Sequence, residues 1–155
     1  FIDEAYTLVS NESDSFGKEA IDTLLKRLED DRGKFVCIVA GYTAQMHTFI
    51  DSNPGLKSRF TQTIHFDDYN PDELTQIFIN LATEKQFTID DTTHAAIHQM
   101  FEQIYLRRDK NFGNARYLRN LFEKVVQLQA NRLAKMDYIE NEQLSIITLD
   151  DVMKL

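Results

Sequence analysis

No stretch of this chain approaches the roughly 20 consecutive apolar residues that a helix needs to cross a bilayer, and none of its residues forms a basic-then-apolar leader. A cytoplasmic protein with no membrane partner is expected. Basic residues are in deficit, with 17 Lys and Arg against 25 Asp and Glu, a formal net charge of −8. That argues against a general binder of phosphate backbones, which carries a basic excess, so no nucleic-acid partner is expected. Cysteine occurs once, at Cys37. An intramolecular disulfide is therefore excluded, and the setting FVCIVAG reads as a buried small hydrophobe. Internal repeats and low-complexity tracts are also missing. What remains, 155 residues with 43% hydrophobic and 27% charged content, is an ordinary globular chain long enough to bury a core in one or two compact units.

The pattern changes near Asn70-Pro71. Before it, apolar runs at residues 1–2, 35–40 and 61–66 read as strands, and the middle one, with Val36, Ile38 and Val39, is continuous enough to be buried on both faces. Between the first two runs, Ile21, Leu24, Leu25 and Leu28 fall at helical spacing, and Gly33 offers a stop. After it, Asn70-Pro71-Asp72-Glu73 supplies a cap, a proline at the first helical position and a capping-box glutamate. Leu74, Ile77, Phe78 and Leu81 follow as one stripe. A second helix from near Asp91 carries Ile97, Met100, Phe101, Ile104 and Tyr105, and a third from near Asn114 carries Leu118, Leu121, Phe122, Val125 and Val126. The segment LSIITLDDVMKL reads as a short extended piece before a terminal helix capped by Thr148, with Asp151 at the box position. An α/β part at 1–69 and a helical part at 70–155 are predicted.

The short run FIDEA ends in two adjacent carboxylates, Asp3 and Glu4. At the carboxyl end of a buried strand, where open α/β sheets present ligands, Asp3 can hold a hydrated magnesium ion and Glu4 can orient an attacking water. Alone the motif is weak, since an apolar pair followed by Asp-Glu is more often a strand running into a solvated turn. Two further features follow in order: NPGLKSRF, ending in Arg59-Phe60, and FGNAR, with Arg116 in the first turn of a helix. An arginine's rigid, always-charged fork suits the charge of a transferring phosphoryl group, which fits Arg59 at a subunit edge. Arg116 lies where backbone N–H groups already favour an anion. Either arginine alone reads as a surface salt bridge.

Taken together, FIDEAYTL, FGKEAIDTLLKRLED, FVCIVAGY, NPGLKSRF and FGNARYLRNLFEKVVQLQANRL resemble the AAA+ ATPases, in the group of the red-type Rubisco activases and the stage V sporulation protein K-like ATPases. The resemblance runs from Phe1 to about Leu133. It implies an α/β fold, a partial P-loop-type core from the Walker B strand onward, followed by an α-helical lid. It also implies ATP and Mg2+ as cofactors, Asp3 as a metal ligand and Glu4 as the catalytic half of the Walker B pair. Arg59 becomes an arginine finger acting on a neighbouring subunit's nucleotide, and Arg116 the sensor-2 arginine. Ring-shaped homo-oligomers, usually hexamers, that couple hydrolysis to remodelling a protein client are implied as well.

The sequence departs from the family at two points. No glycine-rich phosphate loop occurs: in Phe16-Gly17-Lys18-Glu19 the required earlier glycine is Glu12 and the required Ser or Thr is Glu19. After the middle strand, where many members carry a sensor-1 asparagine, the chain reads Ala40-Gly41-Tyr42-Thr43, leaving Tyr42 or Thr43 for that role. The chain is thus expected to be part of a larger ATPase, inactive alone. The family's strand order puts the phosphate-loop strand between 35–40 and 61–66, so two bare edges are expected, with swapping, oligomerisation or partial disorder as consequences. The alternative is a non-catalytic interaction module whose arginines are structural.

Other constellations are weaker. His94 and His98 have the i, i+4 spacing of metal ligands but no supporting Cys or Glu, and read as two exposed histidines. His47 and His65 have no evident nucleophile partner. Arg107-Arg108-Asp109-Lys110 reads as a solvated helix end or part of a subunit contact. The acidic stretch 10–15 lines a ring pore by resemblance, or is a plain solvent loop.

Overall fold

The computed structural model describes residues 1–10, 15–109 and 112–155. The acidic stretch 10–15, read as a pore-lining or plain solvent loop, falls largely on 11–14, which lie outside the described residues, as does Lys110 of the basic run. Two compact units divide the chain, Phe1–Phe66 and Asp67–Leu155. The described structure is mostly helical with one small parallel sheet.

In unit 1, Ile2 pairs with Val39 as a single parallel bridge. The Ile2 N–H donates to the Ile38 carbonyl at 2.9 Å, and the Ala40 N–H donates back to Ile2 at 2.9 Å. A 3₁₀ turn over Ala5–Val9 follows, then α1 (Ser15–Asp30), α2 (Thr43–Asp51) and α3 (Pro54–Arg59). Gly17 lets α1 lie against that turn: a Cβ there would sit 2.2 Å from the Leu8 carbonyl oxygen, a clash with backbone that cannot rotate away. Gly17 is therefore a packing glycine inside a helix, and its likeness to a phosphate loop is superficial. Ala5, Ile21, Phe49 and Leu56 form the buried centre, with Ile2, Leu25 and Met46 among the partly buried residues around it.

Neither α2 nor α3 is expected from the sequence. The second is started by Asn53, whose Oδ1 accepts the Gly55 N–H at 2.7 Å, with Pro54 at the first helical position. The strand expectations require correction. Residues 61–66 join no ladder among the described residues, and the run 35–40 is not buried on both faces: Val36 is 83% and Ile38 55% exposed. The apolar pattern of 35–40 is that of a sandwiched strand, but among the described residues its single β-bridge is that of Val39 to Ile2. Cys37 is half-buried, for the same reason.

Unit 2 builds α4 (Pro71–Glu84), β1 (Thr88–Ile89), α5 (Asp91–Arg107), α6 (Asn114–Leu133), β2 (Ile146–Ile147) and α7 (Leu149–Met153). The expected capping box forms: Asn70 Oδ1 accepts the Glu73 N–H at 3.0 Å, and Glu73 Oε2 accepts the Asn70 N–H at 2.9 Å. Asp90 caps α5 by accepting the Thr93 N–H at 2.7 Å, and that contact with Thr93 draws its carboxyl below the usual range. Facing stripes of α4, α5 and α6 bury Leu74, Phe78, Ile97, Phe101, Leu118, Phe122 and Val125. Phe78 meets Phe122 edge-on at 5.3 Å between ring centroids and Phe101 at 6.0 Å.

β1 and β2 pair in parallel, Thr88 with Ile146 and Ile89 with Ile147, fastening the tail to the bundle. A buried ion pair locks this tail. Arg132 grips Asp151 with two bonds, 2.8 and 3.0 Å, and also donates to the Ile146 carbonyl at 3.2 Å. Asp151 is 1% exposed. Burial pushes its carboxyl up, but Arg132 together with the N–H and hydroxyl of Thr148 holds it below the ordinary carboxylate range.

Candidate functional site

Past Ile2 the backbone turns sharply. Glu4 takes φ 49° and ψ 42°, the left-handed region, at a cost of about 1–2 kcal/mol for a residue with a Cβ. Two contacts hold it there: Asp3 Oδ1 accepts the Glu4 N–H at 3.0 Å, and fully buried Ala5 donates to the Ala40 carbonyl at 3.0 Å. Asp3 and Glu4 are consequently both exposed, just beyond the bridged residue.

Tyr6 is a neighbour that sequence reasoning missed. Burial first, and then the negative charge of Glu4, push its phenol above the ordinary tyrosine value. Its ring lies 6.3 Å from that of Tyr42, at 45°. Gly41 makes room for it, since a Cβ at that position would come within 2.7 Å of the Tyr6 ring. Tyr42 stands at the N-cap of α2 without a side-chain capping bond, and Thr43 is the first helical residue. Glu4, Tyr6 and Tyr42 therefore form one local group, which only the contact between the turn and α2 could reveal.

Arg59 closes α3, where its charge complements the helix dipole. Its Nη2 donates to Glu29 Oε2 at 2.8 Å and its Nη1 to the Gly55 carbonyl at 3.4 Å, while its buried Nε has no partner among the described residues. Glu29 lies 30 residues earlier on α1, so no spacing rule signalled the pair.

In unit 2, Arg116 is exposed in the first turn of α6, and among the described residues no hydrogen bond or ion pair occupies its side chain. Two residues before it, Asn114 has φ 49°. Of the two histidines expected to be exposed, His94 is, but His98 Nε2 lies 2.8 Å from Asp72 Oδ1 and ties α5 to α4. That is a structural contact of a kind exposure alone did not suggest.

Among the described residues no three His, Cys, Asp or Glu side chains converge as a metal cage. Asp3 fits a narrower role. With one oxygen turned to the Glu4 N–H, it remains an exposed carboxylate of the kind that binds a magnesium ion whose other positions hold water and phosphate. A triphosphate cradle is not formed by these residues alone, because no glycine-rich phosphate loop is among them. No helix among the described residues is long and apolar enough to cross a membrane.

The AAA lid domain family matches residues 70–154. The ESX-1 secretion system protein EccA1 of Mycolicibacterium smegmatis is 40% identical over 98% of the chain, which spans 29% of that relative. Stage V sporulation protein K of Bacillus subtilis is 36% identical over 97% of the chain, which spans 47% of it. The ESX-3 secretion system protein EccA3 of Mycobacterium tuberculosis is 35% identical over 98% of the chain, which spans 27% of it. The chain thus covers less than half the length of these relatives.

Proposed function

The chain belongs to the AAA lid domain family of the AAA+ ATPases, and from that premise we propose that its residues serve an assembly that couples ATP hydrolysis to the remodelling of a protein client. Magnesium and ATP, when bound, supply the phosphoanhydride and the charge that orients it; the chain's own groups place water and neutralise charge around them. Asp3 takes the metal's first protein oxygen. Glu4 aligns the attacking water, with Tyr6 braced beside it as a steric and electrostatic guide. Tyr42 or Thr43 is the sensor-1 group, and the Tyr6–Tyr42 ring contact favours Tyr42.

Arg59 acts on the nucleotide of a neighbouring subunit in a homo-oligomeric ring, a hexamer by family habit, and Arg116 reads the phosphates from the lid. The observation that carries this reading is the strained turn at Glu4, which turns two carboxylates out beyond the Ile2–Val39 bridge in a chain whose residues 70–154 match the AAA lid domain. Strain at a non-glycine residue persists where surrounding contacts over-determine it, and it concentrates at functional sites.

The test uses the complete ATPase that carries these residues. Glu4→Gln is expected to retain bound ATP without turnover, and Arg59→Ala to lose hydrolysis while keeping most of its binding. Mixed Glu4→Gln and Arg59→Ala subunits should regain part of the turnover, because some interfaces unite an intact site with an intact finger. No recovery after confirmed subunit exchange contradicts the assignment of Arg59 to a neighbour's site.

A further inference from the structure

The first residues of unit 2 are held by a side-chain clasp built around Asn114. Its Oδ1 accepts the Tyr69 N–H at 3.2 Å, and its Nδ2 donates to Asp68 Oδ1 at 3.4 Å. The other oxygen of Asp68 is taken by Arg108, whose Nε donates to it at 3.3 Å. Arg108 is itself fixed: its guanidinium lies 3.5 Å over the Tyr105 ring, and its Nη1 donates to the Tyr105 carbonyl at 2.7 Å. Asp68 and Tyr69 are therefore fastened both to the end of α5 and to the start of α6.

The residue type at position 114 is demanding. A φ of 49° favours glycine or asparagine, and the clasp needs one acceptor for a backbone N–H and one donor for a carboxylate. Glycine has no side chain to offer. Aspartate accepts but brings a second negative charge to Asp68. Asparagine meets all three conditions, and Arg116 follows in the same helical turn, its N–H bonded to the Gly113 carbonyl at 2.9 Å.

We propose that Asn114 is a positioning residue that links the phosphate-reading Arg116 to residues Asp68 and Tyr69, so that an anion gripped by Arg116 is felt where the chain enters the lid. This rests on the reading of Arg116 as a nucleotide sensor. Movement of the first turn of α6 is carried by the Asn114 carboxamide to the Tyr69 amide and the Asp68 carboxylate, with Arg108 as the second anchor.

Hydrogen exchange on the complete ATPase, in a Glu4→Gln background that keeps Mg–ATP uncleaved, separates the two claims. Without nucleotide, Asn114→Gly, which tolerates the backbone conformation but removes the carboxamide, should speed exchange of the Tyr69 amide by about tenfold, the equivalent of one hydrogen bond. The amides of Leu81 and Phe122 should be unchanged. Added Mg–ATP should slow the Tyr69 amide further in the Asn114 protein and not in Asn114→Gly, although the variant binds Mg–ATP within about threefold of the parent affinity. An unchanged Tyr69 amide in nucleotide-free Asn114→Gly overturns the clasp, and nucleotide-dependent slowing that survives the substitution overturns the linkage. Arg116→Ala tests the sensor separately: an unaltered Mg–ATP affinity there contradicts the sensor reading, while the nucleotide-free Tyr69 result stands by itself.

Discussion

In unit 2, Leu74, Phe78, Ile97 and Phe101 are fully buried, whereas in unit 1 Val36 and Phe66 stand 83% and 85% exposed. The apolar content of the two regions is similar in kind, so the difference lies in the geometry each must satisfy. A helix meets its own backbone hydrogen bonds and needs only one stripe covered, which α4, α5 and α6 do for one another. A strand needs neighbours on its edges as well as layers on its faces, and residues 35–40 form, among the described residues, a single β-bridge, to Ile2. The unit with the more complete core carries one proposed nucleotide contact, Arg116. The less complete one carries Asp3, Glu4 and Arg59.

The largest effect expected from breaking this contrast is in the unit 2 core. Phe122→Ala removes a ring packed against Phe78 and Phe87 and should cost about 3–5 kcal/mol in urea or thermal unfolding. Phe66→Ser, the same class of residue removed from unit 1, should change stability by less than about 0.5 kcal/mol. Similar costs for the two would erase the contrast.

Next in size is the Arg132–Asp151 lock. Arg132→Ala strands a buried carboxylate and should cost about 3 kcal/mol or more, more than Asp151→Asn, which leaves a neutral group that still accepts hydrogen bonds. The same pair sets a pH dependence. Because the folded carboxyl of Asp151 is depressed, its contribution is present above the unfolded value of about 3.9 and is lost as pH falls through the lower folded value. Acid titration of unit 2 unfolding should show that loss, and Asp151→Asn should lack it.

Smaller again is Gly17→Ala, which sets a Cβ against the Leu8 carbonyl and should cost unit 1 about 1–3 kcal/mol through overpacking, leaving the unfolding of unit 2 unmoved. An unchanged unit 1 would show that α1 and the 3₁₀ turn separate at no cost. Least is the signal expected from ATP hydrolysis by the 155 residues alone: none above background, since no glycine-rich phosphate loop is among them. Magnesium-dependent turnover that vanishes in Glu4→Gln would contradict this.

These outcomes also measure how far sequence alone carries. The stripes of α4, α5 and α6 and the Asn70-Glu73 box were legible, because each repeats at helical spacing or is written within a few consecutive positions of one element. Residues 35–40 misled because an apolar run records the environment a strand is built for, and here that environment is not supplied. Tyr6 beside Tyr42, Glu29 on Arg59, Arg132 on Asp151 and Asn114 on Tyr69 were invisible for another reason. They join residues 19 to 45 positions apart or rest on a turn whose direction is set by one strained residue, and no local period encodes such a meeting.

The central claim, that the helical unit is stable by its own packing while the unit bearing Asp3 and Glu4 is held more loosely, is tested most directly by amide hydrogen exchange on the 155-residue chain shown to be monomeric. The account predicts the slowest exchange in the helices that contain Leu81, Met100 and Phe122, with much faster exchange across residues 35–40, whose one β-bridge among the described residues is to Ile2. Protection of residues 35–40 equal to or greater than that of those helices would contradict it.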